Sequence, residues 1–128
     1  MNKYEALKEK LQSRERIVGT NIMLISSSPM IEIIAGEDYL DYVLFDMEHG
    51  MFNNENLIVP LQTCRLCGMP AFVRVPDHTN FHIARCLDLG ADGIMLPRTE
   101  SVAQVKAAVE ETTKECGFES FTWLKCNG

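Results

Sequence analysis

Two carboxylates and an imidazole lie within four residues of one another, directly after an apolar segment. Asp46, Glu48 and His49 follow residues 42–45, which read YVLF. An imidazole titrates near neutral pH, so it can accept and return a proton under physiological conditions. A neighbouring carboxylate can orient the ring or increase its basicity. The cluster predicts proton-transfer chemistry; the structural alternative is a polar loop that solvates the end of a strand.

Arg74 interrupts a second apolar segment, residues 71–75 (AFVRV). Burying an unpaired guanidinium is costly, so this side chain needs an anionic partner. One alternative is Asp46 or Glu48 on a neighbouring parallel strand, which gives a structural ion pair. The other is a substrate carboxylate or a developing oxyanion, which a forked cation binds well. The residues alone leave both alternatives open.

Three further side chains are weaker candidates. Asp88 lies at the predicted end of a helix, where an acid opposes the negative end of the helix dipole and gains from a partner. His78 and His82 have the i, i+4 spacing of a chelating pair, but no acidic residue lies between them. We therefore expect no metal site from this pair. Neither phosphate-binding signature, GxxxxGK[ST] or GxGxxG, occurs in the sequence.

The five cysteines are interpreted as structural thiols. Cys64 and Cys67 have the CxxC spacing of redox and zinc motifs. A zinc site needs a second pair, which Cys86, Cys116 and Cys126 do not supply at suitable spacing. The CxxC pair also lies inside a helical pattern and not at a helix start, where a thiolate is stabilised. An odd count without an export signal predicts reduced thiols in a cytoplasmic protein.

Four short apolar segments, each followed by a helical pattern, are predicted to be strands: 17–25, 42–45, 71–75 and 93–96. Helices are predicted at 3–14, 30–35, 55–67, about 80–89 and 102–114. Asn53 and Asn54 are expected to cap the helix over 55–67. Regular alternation of strands and helices predicts an α/β fold with parallel strands and covering helices.

Two architectures accommodate four such units, a small open doubly wound sheet and half of an eight-stranded barrel. Both place the functional site at the carboxyl ends of the strands, where the Asp46–His49 segment and Arg74 lie. We expect the strand order 1-2-3-4 with the helices outside. An unrelated doubly wound domain that binds a metal through Asp46 and Glu48 for phosphoryl chemistry is a further hypothesis, which the missing phosphate loop weakens.

Length and charge narrow the classes of function. The chain has 128 residues, 46% of them hydrophobic and 23% charged, which fits one soluble globular domain. No apolar run approaches the roughly 20 residues of a membrane span, and the charged amino terminus lacks a signal-peptide pattern. Twelve basic against 18 acidic residues give a net charge of −6, which argues against nucleic-acid binding.

Four short motifs, in order, resemble the HpcH/HpaI aldolases. This family includes 2-oxo-3-deoxy acid and 4-hydroxy-2-oxoheptanedioate aldolases and is related to the citrate lyase beta chain. The motifs are FDMEHG at 45–50 followed by Asn53 and Asn54, VRVP at 73–76, LDLGADGIMLP at 87–97, and Gly19 with the serines at 26–28. The resemblance covers about residues 3–114.

The resemblance implies a TIM (β/α)8 barrel and a reversible aldol cleavage. A 4-hydroxy-2-oxo acid would give pyruvate, or a close keto acid, and an aldehyde, with Mg²⁺, Mn²⁺ or Co²⁺ as Lewis acid. It assigns His49 as the general base and Asp88 as the residue that raises its basicity, within a subunit or across a subunit boundary. Arg74 would bind substrate and stabilise the transition-state oxyanion. Asp46 and Glu48 would support the site.

The chain also departs from the family. A complete barrel needs about 250 residues, and the family's metal ligands, a Glu and an Asp on strands five and six, would lie beyond residue 128. No metal ligand is therefore assigned in this chain. Residues 1–114 are expected to be the amino-terminal half of an aldolase-type barrel, and residues 115–128 a tail outside the family pattern. We expect the truncated chain alone to be inactive; the alternative function is a non-catalytic α/β binding module.

The expected partners are a small keto-acid substrate and other copies of the same chain. A half barrel would leave the edges of strands one and four unpaired and expose an apolar inner face. Both features favour a homo-oligomer. Neither a nucleic acid nor a membrane is expected as a partner.

Overall fold

The computed structural model of the protein describes residues 2–116 and 121–126, with side chains over 2–114. Its strands form one parallel sheet in the order β1-β2-β3-β4-β5. The strands are β1 Gly19–Ile22, β2 Tyr42–Asp46, β3 Ala71–Arg74, β4 Gly93–Thr99 and β5 Phe121–Cys126. The helices are α1 Lys3–Gln12, α2 Ser28–Ala35, α3 Ile58–Cys67, α4 Asn80–Asp88 and α5 Val102–Cys116. The predicted order and direction of the first four strands are confirmed.

A fifth strand lies in the segment that the sequence analysis interpreted as a tail. β5 pairs in parallel with β4, with Gly93 opposite Phe121. The prediction that strand four would be a free edge is therefore wrong. The sequence FTWLKC is rich in aromatic and β-branched residues, which favour strands. The division of the chain at residue 114 stays a prediction.

The start of α3 differs from the prediction. Asn53 and Asn54 do not cap this helix, because α3 begins at Ile58 and Leu57 occupies its capping position without a side-chain hydrogen bond. The Asn53 side chain instead accepts hydrogen bonds from the backbone N–H groups of residues 55 and 56, at 2.9 and 3.0 Å. Asn53 thus closes a turn that precedes α3.

One face of the sheet packs against α2, α3, α4 and α5. Val43, Phe45, Val73 and Ile94 project from this face and are fully buried in the main hydrophobic core. Helix residues such as Ile83 complete that core. Since alternate residues of a strand face opposite sides, the intervening residues of β2 and β3 must be covered from the other side.

Helix α1 provides that cover, which corrects two expectations. Leu7 is fully buried against Leu44 and Phe72, on the face opposite the main core. A capping box between Asn2 and Glu5 starts the helix. Not every helix therefore lies outside the sheet, and the apolar inner face of β2 and β3 is covered and not exposed. No helix in the described part of the chain is long and apolar enough to cross a bilayer.

Candidate active site

Asp46, the last residue of β2, organises the carboxyl edge of the sheet. Its side chain is fully buried. Oδ1 accepts hydrogen bonds from the backbone N–H groups of Glu48 and His49, at 2.8 and 3.0 Å, and from Arg74 Nε at 3.0 Å. Burial alone would raise the pKa of Asp46, but these hydrogen bonds outweigh it and hold the pKa below its ordinary value. Asp46 is therefore ionised at neutral pH.

Arg74 lies directly opposite Asp46 in the parallel register of β2 and β3. Its Nη2 forms an ion pair with Asp46 Oδ2, and its Nε donates to Oδ1, so the contact is bidentate. The hydrogen bond to Asp46 raises the pKa of Arg74. Of the two alternatives for Arg74, the ion pair with Asp46 is present. The guanidinium is 8% exposed, and its Nη1 group is left out of the contact with Asp46.

Glu48 connects the buried pair to the surface. Its side chain is only 8% exposed, and Oε1 lies 2.9 Å from His49 Nε2. The other oxygen, Oε2, lies 3.8 Å from Arg74 Nε. The imidazole of His49 is 63% exposed, so it can meet a ligand from solvent while a shielded carboxylate holds it. A carboxylate in this position fixes the tautomer and orientation of an imidazole.

Gly50 allows the polar loop to fold back tightly onto the sheet. A Cβ at this position would collide with the carbonyl oxygen of Asp46 and lie 3.0 Å from that of Met23. Met51 N donates a hydrogen bond to the same Met23 oxygen at 2.9 Å, which joins the loop after β2 to the loop after β1. Glycine is therefore a steric requirement for the position of His49.

Asp88 lies apart from this cluster. It is the exposed last residue of α4. Helices that connect parallel strands run against them, so the end of α4 lies at the amino edge of the sheet, opposite His49. Within one chain, the carboxylate beside His49 is Glu48. Asp88 could reach His49 only from a second copy.

Arg98 belongs to the cluster, although the sequence analysis did not single it out. Its Nε lies 3.6 Å from Glu48 Oε1, and its side chain is 67% exposed. The signal that could have found it is the one used for Arg74, a cation at the carboxyl end of a predicted strand. The predicted strand ends at residue 96, whereas β4 continues to Thr99.

The remaining sequence candidates do not form a second site. His82 Nδ1 lies 2.9 Å from Asp77 Oδ1, while His78 Nε2 contacts the carbonyl oxygen of Pro97 at 2.5 Å, so the two histidines have separate partners. Cys64 lies buried inside α3, and burial raises its pKa to about 12. A reactive CxxC pair requires a lowered thiol pKa, so the structural interpretation agrees with this geometry.

The described residues do not fit a divalent metal by themselves. No group of three or more His, Cys, Asp or Glu side chains in this part of the chain could hold one. The oxygens of Asp46 are occupied by Arg74 and two backbone N–H groups. Mg²⁺ prefers six oxygen ligands, and this edge offers no such set.

Fold and site together define the class: a TIM-barrel-type α/β protein whose polar cluster lies at the carboxyl ends of parallel strands. The chain belongs to the HpcH/HpaI aldolase/citrate lyase family, whose sequence model matches residues 22–121. This confirms the resemblance drawn from the four motifs.

Individual relatives support the assignment to this family. A 4-hydroxy-2-oxovalerate aldolase of Novosphingobium aromaticivorans is 37% identical over 102 residues, or 78% of this chain and 38% of that protein. A 2-dehydro-3,6-dideoxy-6-sulfogluconate aldolase of Pseudomonas putida is 32% identical over 99 residues, or 77% of this chain and 38% of that protein. The chain thus spans less than half the length of these relatives.

A solved structure supports the fold over a longer stretch. The crystal structure of an HpcH/HpaI aldolase from Desulfitobacterium hafniense superposes with a TM-score of 0.77 and 28% sequence identity. The match covers 90% of this chain and 44% of that one.

Proposed function

We propose that the carboxyl edge of this sheet carries the proton-transfer part of an aldolase site. The substrate would be a 4-hydroxy-2-oxo acid, cleaved to pyruvate or a close keto acid and an aldehyde. The observation that carries the proposal is the contact between Glu48 and His49, an exposed imidazole held by a shielded carboxylate beside a buried arginine. The aldolases among the relatives supply the reaction class.

The chemistry follows from the two ring nitrogens of His49. When Nε2–H donates to Glu48, Nδ1 is the basic nitrogen and takes the proton of the C4 hydroxyl. The C3–C4 bond then breaks, the C4–O bond becomes the aldehyde carbonyl, and the electron pair of the broken bond forms the enolate of the keto acid. A proton added to C3 gives the methyl group of pyruvate. The Nη1 group of Arg74 would stabilise the negative enolate oxygen.

The test is the exchange of pyruvate methyl protons for deuterium, followed by NMR in D2O with Mg²⁺. The chain would be joined to the carboxyl-terminal part of the Novosphingobium relative, because it matches only 38% of that protein. His49→Ala should slow exchange roughly 10²–10⁴-fold, as expected for loss of a general base. His82→Ala is the control, since His82 is paired with Asp77. Normal exchange in the His49 variant would overturn the proposal.

The role of Arg74 has its own test in the same protein. Arg74→Lys should be nearly as damaging to exchange as Arg74→Ala, because an ammonium cannot reproduce the two-pronged contact with Asp46 and donate a further N–H. A lysine variant with near-normal exchange would contradict the assigned role.

Any divalent ion of the reaction is proposed to be held by residues outside this chain. The 128-residue chain should therefore bind Mn²⁺ weakly in titration calorimetry, and micromolar affinity would contradict this. The alternative function is a non-catalytic binding module. It predicts keto-acid binding without proton exchange in the joined protein.

Self-association and a cytoplasmic location complete the proposal. Among the described strands, β1 and β5 each have a neighbour on one side only. Large apolar side chains also stay exposed, among them Leu24 at 77% and Leu66 at 89%. A homo-oligomer would bury such surface and could bring Asp88 of one copy to His49 of another. Sedimentation of a clean monomer at high concentration, with no binding of a hydrophobic dye, would contradict self-association.

A further inference from the structure

The polar cluster places two shielded carboxylates beside one buried guanidinium. Asp46 is fully buried, Glu48 is 8% exposed, and both contact Arg74. Arg74 donates hydrogen bonds from Nε and Nη2 to Asp46. Its distance to Glu48 is 3.8 Å, from Nε to Oε2, which is too long for a hydrogen bond. One guanidinium thus faces two carboxylates, and shielding a carboxylate from water is costly when its charge is not balanced.

Arg98 supplies the second positive charge. Its Nε lies 3.6 Å from Glu48 Oε1, the oxygen that contacts His49 Nε2 at 2.9 Å. The ion pairs described for this cluster therefore balance, with Asp46 and Glu48 against Arg74 and Arg98. Because 3.6 Å exceeds hydrogen-bond length, Arg98 acts through its charge and leaves the hydrogen bond of this oxygen to His49.

The backbone at Arg98 is irregular where it brings the guanidinium to this position. Its φ of 42° lies in the left-handed region, and among the described residues only Arg14 shares this feature outside glycine. The pairing of β4 with β5 also shifts register between Leu96 and Thr99, as at a β-bulge. Bulges beside functional sites change the direction in which a side chain points. The contact with Glu48 joins the end of β4 to the loop after β2, across the end of β3.

We infer that Arg98 is a positioning residue that acts through Glu48 to keep the imidazole of His49 in its neutral, basic form. This rests on the proposed function, in which Nδ1 of His49 takes the proton of the C4 hydroxyl. A carboxylate beside an imidazole favours the imidazolium ion, in which both ring nitrogens carry a proton and neither is basic. A positive charge beside the same carboxylate offsets this attraction. Glu48 then orients the ring without charging it.

The charged groups that surround Glu48 and the imidazole beside it come from three neighbouring strands. They are Asp46 from β2, Arg74 from β3 and Arg98 from β4. The loop after β1 meets this segment through Met23, which carries no charge. Since Asp46 and Arg74 neutralise each other, Arg98 is the cation whose removal changes the charge beside the imidazole and leaves the buried pair intact.

The first test reads the protonation of the His49 ring directly, by ¹⁵N NMR of the 128-residue chain across a pH series. Near neutral pH, Arg98→Gln should raise the ratio of imidazolium to neutral ring about threefold at low salt. Arg98→Lys should restore the original ratio, because the contact depends on charge and not on the planar fork. Arg85→Gln removes an exposed arginine of α4 and is the matched control, which should change nothing. An unchanged ratio in Arg98→Gln, or no restoration by lysine, would overturn the inference.

Proton exchange in the joined protein distinguishes this role from a structural one. Arg98→Gln should slow the exchange of pyruvate methyl protons about threefold in mildly acidic solution and leave it unchanged in mildly alkaline solution, where the ring is neutral in both proteins. Salt should reduce the difference, because the Arg98 side chain is 67% exposed. An equal loss of rate at every pH, or a difference that salt does not reduce, would contradict a role of the charge.

The two readouts separate this inference from the proposed function. If the aldolase proposal alone is wrong, His49→Ala will exchange pyruvate protons normally, while Arg98→Gln still changes the protonation of the ring. If the Arg98 inference alone is wrong, His49→Ala will lose exchange, while the ring in Arg98→Gln titrates as in the unsubstituted protein.

Discussion

Aspartates at the two edges of the sheet have different roles. At the amino edge, Asp41 accepts hydrogen bonds from Lys10 Nζ at 2.6 Å and Val18 N at 2.8 Å. Asp92 accepts one from Ala71 N at 2.8 Å. Each of these aspartates holds one segment of the chain to its neighbour.

At the carboxyl edge, Asp46 also accepts backbone hydrogen bonds, but other polar side chains of the cluster stay exposed. Asp46 closes its loop and pairs with Arg74, while His49 and Arg98 stay 63% and 67% exposed. Glu48 contacts both the exposed His49 and the buried Arg74. The difference is that the carboxyl edge is supported by the buried ion pair of Asp46 and Arg74, while the outer side chains stay exposed and, in the proposed function, His49 meets the ligand.

The largest effect should come from breaking that support. Asp46→Ala leaves Arg74 buried without its partner and removes the acceptor for two loop N–H groups. We expect the free energy of unfolding to fall by about 3–5 kcal/mol. Urea denaturation followed by circular dichroism would measure it. A loss below 1 kcal/mol would mean that the ion pair is not the support of this edge.

The direction of the pKa shift of Asp46 determines how the stabilising contribution of the Asp46–Arg74 pair depends on pH. Because the folded pKa of Asp46 is lowered, its stabilising contribution is present above the unfolded pKa and is lost as the pH falls through the folded one. The Asp46→Ala penalty should therefore shrink in strongly acidic solution. A penalty that stays constant from neutral pH into that range would contradict the ionised state.

The next largest effect should come from Gly50, where the loop after β2 passes close to the backbone of Asp46 and Met23. Gly50→Ala places a methyl group against the carbonyl oxygens of Asp46 and Met23, so the backbone must shift. We expect a loss of about 1–3 kcal/mol, typical of overpacking. In the joined protein, proton exchange should fall as well, because His49 moves with the loop. Gly36→Ala is the control, since the nearest atom to its Cβ would lie at 3.4 Å. Equal effects of both substitutions would argue against a steric role for Gly50.

The parallel fold and the position of the polar cluster at the carboxyl edge were both predictable from the sequence. Apolar segments alternate with helical patterns, and that alternation admits few topologies. The rule that sites follow strand ends then selected Asp46, Glu48, His49 and Arg74. These inferences need only the position of a residue along the chain.

Other features depend on information that spacing does not carry. The helical spacing of Tyr4, Leu7 and Leu11 predicts that Leu7 is buried, but not which face of the sheet it covers. The contact of Glu48 with His49 depends on a tight loop, and that of Arg98 on an irregular strand end. β5 was missed because its segment was judged by family pattern and not by its own strand propensity.

A smaller effect, of opposite sign, is expected at the amino edge. Burial raises the pKa of Asp92, so ionisation opposes folding there. Its favourable contribution is full below the unfolded pKa and is lost as the pH rises through the folded one. Asp92→Asn keeps an acceptor for Ala71 N–H and removes the charge. At pH 7 we expect the variant to be more stable than the unsubstituted protein, because it removes the buried charge, and we expect the gain to vanish in acid. Urea titrations at both pH values measure this, and destabilisation at pH 7 would refute it.

The smallest effect should come from Lys10, whose ion pair with Asp41 joins α1 to the start of β2. Lys10 is 36% exposed, so water screens much of the attraction and compensates for its loss. Asp41 also keeps its hydrogen bond from Val18 N. Lys10→Gln should lower the free energy of unfolding by only about 0.5 kcal/mol, and less at high salt. Lys8→Gln, on the same helix, serves as the matched control in the same urea titration. A Lys10 effect as large as that of Asp46→Ala would mean that both edges depend equally on their ion pairs, and the contrast between them would fail.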